Sequence, residues 1–224
     1  MLEQIVLELE KAFIKNRDTQ KAEEMSRYMR NQFTFFGIQS TPRRKIQADW
    51  LKTHQQVIAS YSPIHIATEL FQKEEREFQL AAIDILVKMQ KKLTIEDIPS
   101  VENLIMCKSW WDTVDLLATK IIGTLLMNRK ELQIHYASKW IQSNHLWLQR
   151  TAILFQLKYK DNTDTTLLYN TINLLKDQKD FFIQKAIGWA LREYAKTNKE
   201  WVNQMVVKLE LDGLSKREAL KHLH

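Results

Sequence analysis

Residues that interrupt regular structure are scarce in this sequence, which holds 4 Gly and 3 Pro among 224 residues. Tight hairpin turns depend on such residues, so their scarcity argues against a β-sandwich or a β-barrel. A single cysteine, Cys107, excludes a disulfide scaffold and any zinc site built from several cysteines. We therefore expect Cys107 to be a core residue in a helix and the protein to be cytoplasmic.

Membrane and cofactor signals are also missing. The most apolar stretch, residues 110–127, is interrupted by Asp112, Asp115 and Lys120, so no transmembrane helix is expected. The N-terminus carries acidic residues and resembles neither a signal peptide nor a transit peptide. No GxGxxG, GxxxxGK[ST], GxSxG or HExxH segment occurs, which argues against nucleotide cofactors and zinc hydrolases. We expect neither a metal nor a cofactor.

The charge of the chain is positive. Lys and Arg number 33 against 27 Asp and Glu, a formal net charge of +6, and the sequence pI is about 9.2. Such a balance favours a polyanionic partner, nucleic acid above all.

Apolar residues recur at helical spacing along most of the chain, as in Ile5, Leu9 and Phe13. Short polar breaks separate these segments, and no alternating strand pattern competes with them. The sequence predicts an all-α protein of about eleven helices, each of about ten to seventeen residues. The expected helix N-caps are Asp18, Ser62, Asp180 and Ser215.

Three helical segments share a pattern that contains Gln79, Gln149 and Gln184. The intervals are 70 and 35 residues, so a single period of 35 residues fits both, and the same period reaches Val114. A repeat of this length is a helix pair that cannot bury its own apolar face. We therefore expect the pairs to stack into a solenoid.

The period places Asp115, Arg150 and Lys185 at equivalent positions, so we expect them in a polar row on the concave face. Trp111 lies one helical turn before Asp115, and Trp189 lies one turn after Lys185. Aromatic rings and cations with one acid suit a nucleic-acid surface with a single reactive point. A tryptophan packed over the stack beside a solvated aspartate is the alternative.

Other tryptophans and one glycine carry structural expectations. Trp50, Trp140 and Trp201 are expected in the core. Adjacent helix positions differ by about 100°, so one ring of the pair 110–111 should face the core and the other the surface. Gly188, inside a helix, predicts a close approach of another helix.

Two basic segments follow predicted helix starts, where backbone N–H groups can bind phosphate. Arg43, Arg44 and Lys45 follow the turn at residues 37–42, and Lys216 and Arg217 follow Ser215. Each segment taken alone is weak evidence, because a short basic run at a helix start is usually only solvated.

Several segments, in this order along the chain, together resemble the AlkD-type DNA alkylation repair glycosylases. The resemblance covers nearly the whole sequence. The segments are RYMRN at 27–31, FGIQ at 36–39, KSWWDTVD at 108–115, WLQRTAI at 147–153, FIQKAIGWALREY at 182–194 and LSKREA at 214–219.

The resemblance implies one domain over residues 1–224, a superhelical solenoid of HEAT-like helix pairs with a concave basic face that holds duplex DNA. It implies a monofunctional glycosylase of base excision repair that acts on cationic N3- and N7-alkylated purines such as 3-methyladenine and 7-methylguanine. Such an enzyme works as a monomer in the bacterial cytoplasm, where its substrate associates it with the nucleoid.

The resemblance also implies roles for individual residues. Asp115 matches the catalytic carboxylate, Trp111 and Trp189 match the aromatic pair beside the lesion, and Arg150 and Tyr28 match residues near the reacting nucleotide. Pro42 stands one residue later than in the family, which affects the contacts of that turn. Expected contacts to the DNA backbone are Gln39, Ser40, Arg43, Arg44, Lys185, Ser215, Lys216 and Arg217.

A different class of function is a non-catalytic HEAT-like scaffold that binds DNA or a protein partner. Asp115 separates the two hypotheses, because a surface that only attracts phosphate has no use for an acid.

Overall fold

A computed structural model describes residues 1–221, and these residues form helices with no β-strand, which confirms the all-α expectation. None of the described helices is long and apolar enough to cross a membrane. The helices are α1 (Leu2–Lys15), α2 (Thr19–Tyr28), α3 (Ser40–Thr53), α4 (Gln55–Ala59), α5 (Pro63–Gln72), α6 (Arg76–Lys88), α7 (Ile98–Met106), α8 (Trp111–Leu116), α9 (Gly123–Leu126), α10 (Lys130–Gln142), α11 (Leu146–Leu154), α12 (Thr165–Leu175), α13 (Phe181–Tyr194), α14 (Lys199–Lys208) and α15 (Gly213–Leu220). A π-helical segment, Leu117–Ile122, joins α8 to α9, and 3₁₀ helices occur at Gln90–Lys92, Ile95–Asp97 and Lys160–Asn162.

Helix starts follow the local sequence at three of the four expected caps. Asp18, Ser62 and Asp180 each accept a hydrogen bond from a backbone N–H of the first helical turn. The expectation for Ser215 is wrong, because α15 begins at Gly213 and Ser215 lies inside its first turn. The Ser215 hydroxyl donates to the Asp212 carbonyl at 3.1 Å.

The first compact unit, Met1–Ser100, is built from contacts of α1 with α3 and α5, and of α6 with α3 and α5. Its core contains the Phe13 ring, 5.2 Å from Phe78 and 5.9 Å from Phe36 between ring centroids. Trp50 is buried as expected, and its indole N–H donates to the Ile5 carbonyl at 2.6 Å.

The second compact unit begins at Val101. In it α11 packs against α8, α10, α12 and α13, and α13 packs against α14 and α15. Trp140 is fully buried as expected and donates its indole N–H to Glu102 at 2.6 Å. Two core expectations are wrong, since Trp201 is half-buried at the rim of the core and Cys107 is half-buried beyond the end of α7.

The three repeat glutamines occupy equivalent places. Gln79, Gln149 and Gln184 each lie near the start of the second helix of a pair. Their amide groups donate to the carbonyls of residues 73, 141 and 176 at 2.7, 3.0 and 2.9 Å, and each carbonyl lies within one residue of the end of the preceding helix. Carbonyls at a helix end have no partner within their own helix. The sequence period therefore corresponds to one recurring link between the two helices of a pair.

Candidate active site

A forked ion pair joins α8 to α11 in the second unit. The Nε and Nη2 atoms of Arg150 donate to Oδ1 and Oδ2 of Asp115 at 2.7 and 2.8 Å. Such two-point pairing of guanidinium with carboxylate fixes direction as well as distance. The first two members of the predicted row, one period apart, are thus in direct contact.

Arg150 itself is not on an open surface. Arg150 is 4% exposed, and its Nη1 atom donates to the carbonyl of Phe182 in the first turn of α13. This corrects the expectation of a solvent-facing row, because Arg150 directs its donors to Asp115 and to the protein backbone. Its observed action is to hold the aspartate.

Asp115 lies at the edge of the solvent, with its side chain 14% exposed. Burial raises the pKa of this carboxyl group above the ordinary aspartate value, the hydrogen bonds and charge of Arg150 lower it, and nearby Asp112 raises it further. The forked pair uses one lone pair on each oxygen, so the carboxylate keeps lone pairs that can accept from a water or a ligand. Among residues 1–221 there is no cluster of His, Cys, Asp or Glu side chains placed to hold a metal ion.

The adjacent tryptophans do not divide between core and surface as expected, and both are half-buried. The reason is that α8 begins at Trp111, whereas Trp110 is extended at φ −158° and ψ 163° and stands outside the helix. The helical angle of 100° therefore does not relate the two rings. Trp111 lies one turn before Asp115 on α8, as the spacing predicts.

An aromatic cluster of Trp110, Trp147 and Phe182 supports the forked pair. Ring centroids lie 5.0 Å apart for Trp110 and Phe182 and 4.9 Å apart for Trp147 and Phe182. Phe182 is also the residue whose carbonyl accepts from Arg150. This cluster was not among the expected site residues, although Trp147 and Phe182 are one 35-residue period apart.

Trp189 is half-buried on α13. A Cβ atom on the neighbouring residue, Gly188, would lie 2.3 Å from the Glu218 Cβ and 2.8 Å from the Ser215 carbonyl oxygen. This confirms the expected close helix approach, and the approaching helix is α15. Lys185, one turn before Trp189, donates to Glu218 at 2.8 Å.

Comparison with known proteins decides the family. The sequence pattern described as DNA alkylation repair enzyme matches residues 9–223. The chain belongs to the DNA alkylation repair enzyme family. A solved structure described as a predicted DNA alkylation repair enzyme from Enterococcus faecalis is similar, with a TM-score of 0.84 and 31% identity over 92% of this chain and 96% of that one. No curated protein matches the sequence.

Family membership confirms the expected resemblance at the level of a DNA alkylation repair enzyme. The protein is accordingly an enzyme of DNA repair, and DNA is its substrate.

The predicted DNA-backbone contacts of this DNA alkylation repair enzyme divide by exposure. Gln39 and Ser40 are exposed at the start of α3, and Arg44 is 61% exposed. Arg43, in contrast, is 3% exposed and donates to Asp84 at 2.9 Å, so it is not available to DNA in this structure.

The C-terminal segment of the repair enzyme divides in the same way. Lys216 and Arg217 are exposed, but Ser215 is 1% exposed, which excludes its hydroxyl as a surface contact. Pro42 lies within the first turn of α3, and Tyr28 is exposed at the end of α2 in the first unit.

Proposed function

We propose that this DNA alkylation repair enzyme is a monofunctional glycosylase. Its substrates would be cationic N3- and N7-alkylated purines in duplex DNA, such as 3-methyladenine and 7-methylguanine. The observation that carries the proposal is the Asp115 carboxylate, which a buried arginine holds through both oxygens while 14% of the side chain stays exposed. Trp111 lies one turn away on the same helix.

The reaction needs only one carboxylate group from the protein. Alkylation of a ring nitrogen gives the base a positive charge, and when the C1′–N bond breaks the electron pair goes to the base and neutralises it. The sugar becomes oxocarbenium-like, and the Asp115 carboxylate stabilises that charge. A water oxygen then bonds to C1′ and its proton goes to the carboxylate or to solvent. No general acid is required, because the leaving base is already cationic.

The surrounding residues would assist in different ways. The faces of Trp111 and Trp189 would attract the cationic nucleotide by roughly 0.5–2 kcal/mol each. Tyr28 is assigned to the same substrate by the family resemblance. Arg150 would act by holding Asp115 in the reactive orientation before substrate arrives, which removes a cost of reorganisation.

Duplex DNA would be bound through exposed cations and a helix start. Arg44, Lys216 and Arg217 are exposed, and Gln39 and Ser40 lie at the N-terminus of α3. The HEAT-like interpretation of the helix pairs belongs to the same proposal, and the equivalent bonds of the three repeat glutamines support it.

The forked ion pair is also compatible with the second candidate, a helical scaffold that binds DNA without chemistry. The pair of Asp115 and Arg150 links α8 to α11, and a purely structural ion pair would have the same geometry. Only activity separates the two candidates.

The test is release of 7-methylguanine from duplex DNA by wild type, by Asp115→Asn and by Glu102→Gln. Glu102 is the matched control, because its carboxylate is also buried in the second unit and accepts from Lys139 and Trp140. Loss of a fixed electrostatic group predicts a fall of about 10²–10³-fold in Asp115→Asn, with Glu102→Gln close to wild type.

Thermal unfolding of each variant shows whether it is folded at the assay temperature. A wild-type rate equal to spontaneous release would reject the glycosylase and leave the scaffold. Full activity in Asp115→Asn would remove Asp115 from the mechanism.

A further inference from the structure

Glu218 on α15 is a carboxylate that the proposed chemistry does not use. Its Oε1 accepts from the Lys185 Nζ at 2.8 Å, and its Oε2 accepts from the Arg192 Nη1 at 2.6 Å. The same Arg192 atom donates to the Glu218 backbone carbonyl at 2.9 Å. The bond from Lys185 and then that from Arg192 lower the pKa of Glu218 to about 2, so the group is charged at neutral pH.

The two cations that Glu218 holds are both on α13, on either side of Trp189 along the helix. Lys185 precedes Trp189 by four residues, and Arg192 follows it by three. At about 100° per residue, both lie on the same side of Trp189, at about 40° and 60° from it. One carboxylate therefore fixes the turn before and the turn after the indole.

Gly188 makes this arrangement possible. A Cβ atom at position 188 would collide with the Glu218 Cβ at 2.3 Å and with the Ser215 carbonyl at 2.8 Å. Only a residue without a side chain lets α15 lie against α13 directly beside Trp189. Glycine inside a helix costs roughly 1 kcal/mol relative to alanine, which the packing of the two helices offsets.

We propose that Glu218 is a positioning residue for Trp189. By holding Lys185 and Arg192 to α15, it keeps both long side chains off the Trp189 ring and fixes the indole in the orientation that meets the damaged nucleotide. Without the charge of Glu218, Lys185 loses its carboxylate partner and Arg192 keeps only its bond to the backbone carbonyl of residue 218, so the ring gains freedom. The proposal rests on the proposed function, in which Trp189 contacts substrate.

The test is a double-mutant cycle between Glu218→Gln and Trp189→Ala, read out as the single-turnover rate of base release. Glu193→Gln is the matched control. Glu193 is also on α13, accepts from Lys158 and Lys196 at 2.8 and 2.6 Å, and is 20% exposed where Glu218 is 17% exposed. It follows Trp189 by four residues, at about 40° on the side opposite Lys185 and Arg192, so it is an equally near carboxylate that holds neither of these two cations. The change in net charge is identical, so general electrostatic effects on DNA binding cancel.

We expect Glu218→Gln to slow release by about tenfold or more in the wild-type background, since small displacements of a substrate contact are costly. In the Trp189→Ala background the same substitution should have no further effect, because its partner is gone. Glu193→Gln should leave the rate unchanged in both backgrounds. Additive losses for Glu218 and Trp189 would overturn the proposal.

A second readout does not depend on activity. The fluorescence of Trp189 is obtained as the difference between each protein and the same protein carrying Trp189→Phe, and its quenching by acrylamide is compared. Quenching should rise in Glu218→Gln and not in Glu193→Gln. Equal quenching in the two variants would reject the positioning role.

The two readouts separate the two proposals. A change in quenching without any base release by wild type would reject the glycosylase and keep the positioning role. Base release by wild type with additive losses would keep the glycosylase and reject the positioning role. If Glu218→Gln does not fold, Arg192→Gln removes one of the two ion pairs and enters the same cycle.

Discussion

Two buried arginines form ion pairs with aspartates, one in each compact unit, and they differ in how the carboxylate is held. Arg150 grips both oxygens of Asp115. Arg43 reaches only Oδ2 of Asp84, and the exposed Arg44 shares that same oxygen at 3.1 Å. The Nε of Arg43 is buried with no hydrogen-bond partner. The first pair is a two-point pair that uses both carboxylate oxygens, whereas the second is incomplete, because it uses one oxygen and leaves one arginine donor without a partner.

The difference shows what distinguishes a fixed functional acid from a structural ion pair. Asp115 has one buried cation, a side chain that is 14% exposed, and Trp111 one turn before it on the same helix. Asp84 has two cations and a more exposed carboxylate, so either arginine alone can neutralise it. We infer that only the pair of Asp115 and Arg150 holds a single carboxylate in a fixed orientation.

The largest expected contrast is in stability. Arg150→Met leaves the mostly buried Asp115 without its cation, and breaking such a pair from one side costs about 3–5 kcal/mol. Arg43→Met leaves Asp84 with Arg44 and removes a buried, unsatisfied Nε, so the loss should be clearly smaller. Urea unfolding gives both free energies. Equal losses would show that the forked geometry confers no special dependence on Arg150.

A second contrast lies in the pH dependence of base release. The reaction uses the carboxylate form, so activity is present above the pKa of Asp115 and is lost as the pH falls through it. Burial raises that pKa and Arg150 lowers it, so the acid limb lies above the ordinary aspartate range. Arg150→Met removes the lowering influence.

We expect the acid limb of Arg150→Met to move to higher pH, and that of Arg43→Met to stay in place. Single-turnover rates between mildly acidic and neutral pH, corrected for spontaneous release, measure both limbs at a temperature where the variants are folded. A limb that does not move in Arg150→Met would mean that another group controls it.

Sequence reasoning succeeded where a short-range or periodic rule applies. Caps such as Asp18 depend on residues within one turn, and the period of 35 residues aligned Asp115 with Arg150 because equivalent helices pack side by side. That alignment did not show that the two side chains would bind one another. It led instead to an expectation of separate surface contacts.

Sequence reasoning failed where a distant segment decides burial. Arg43 is buried because Asp84, 41 residues away, accepts from it, and Ser215 is buried because Gly188 lets α15 approach α13. Trp110 was misplaced for a local reason, because both tryptophans were expected to be helical and α8 begins only at Trp111. Contacts between distant segments, such as those of Arg43 and Ser215, follow no spacing rule that a single sequence would show.

The smallest expected effect concerns Arg44, the exposed member of the incomplete pair. If Arg44 neutralises one phosphate, Arg44→Ala should reduce the slope of log K against log salt for undamaged duplex by about 1. The free energy of unfolding of Arg44→Ala should differ little from that of wild type, because exposed ion pairs contribute about 0–1 kcal/mol and Arg43 still neutralises Asp84. Arg17→Ala, an exposed cation of the same unit that lies outside the predicted contacts, is the control and should leave the slope unchanged. An equal change of slope in both variants would mean that Arg44 adds only to the general positive charge of the protein and makes no contact of its own.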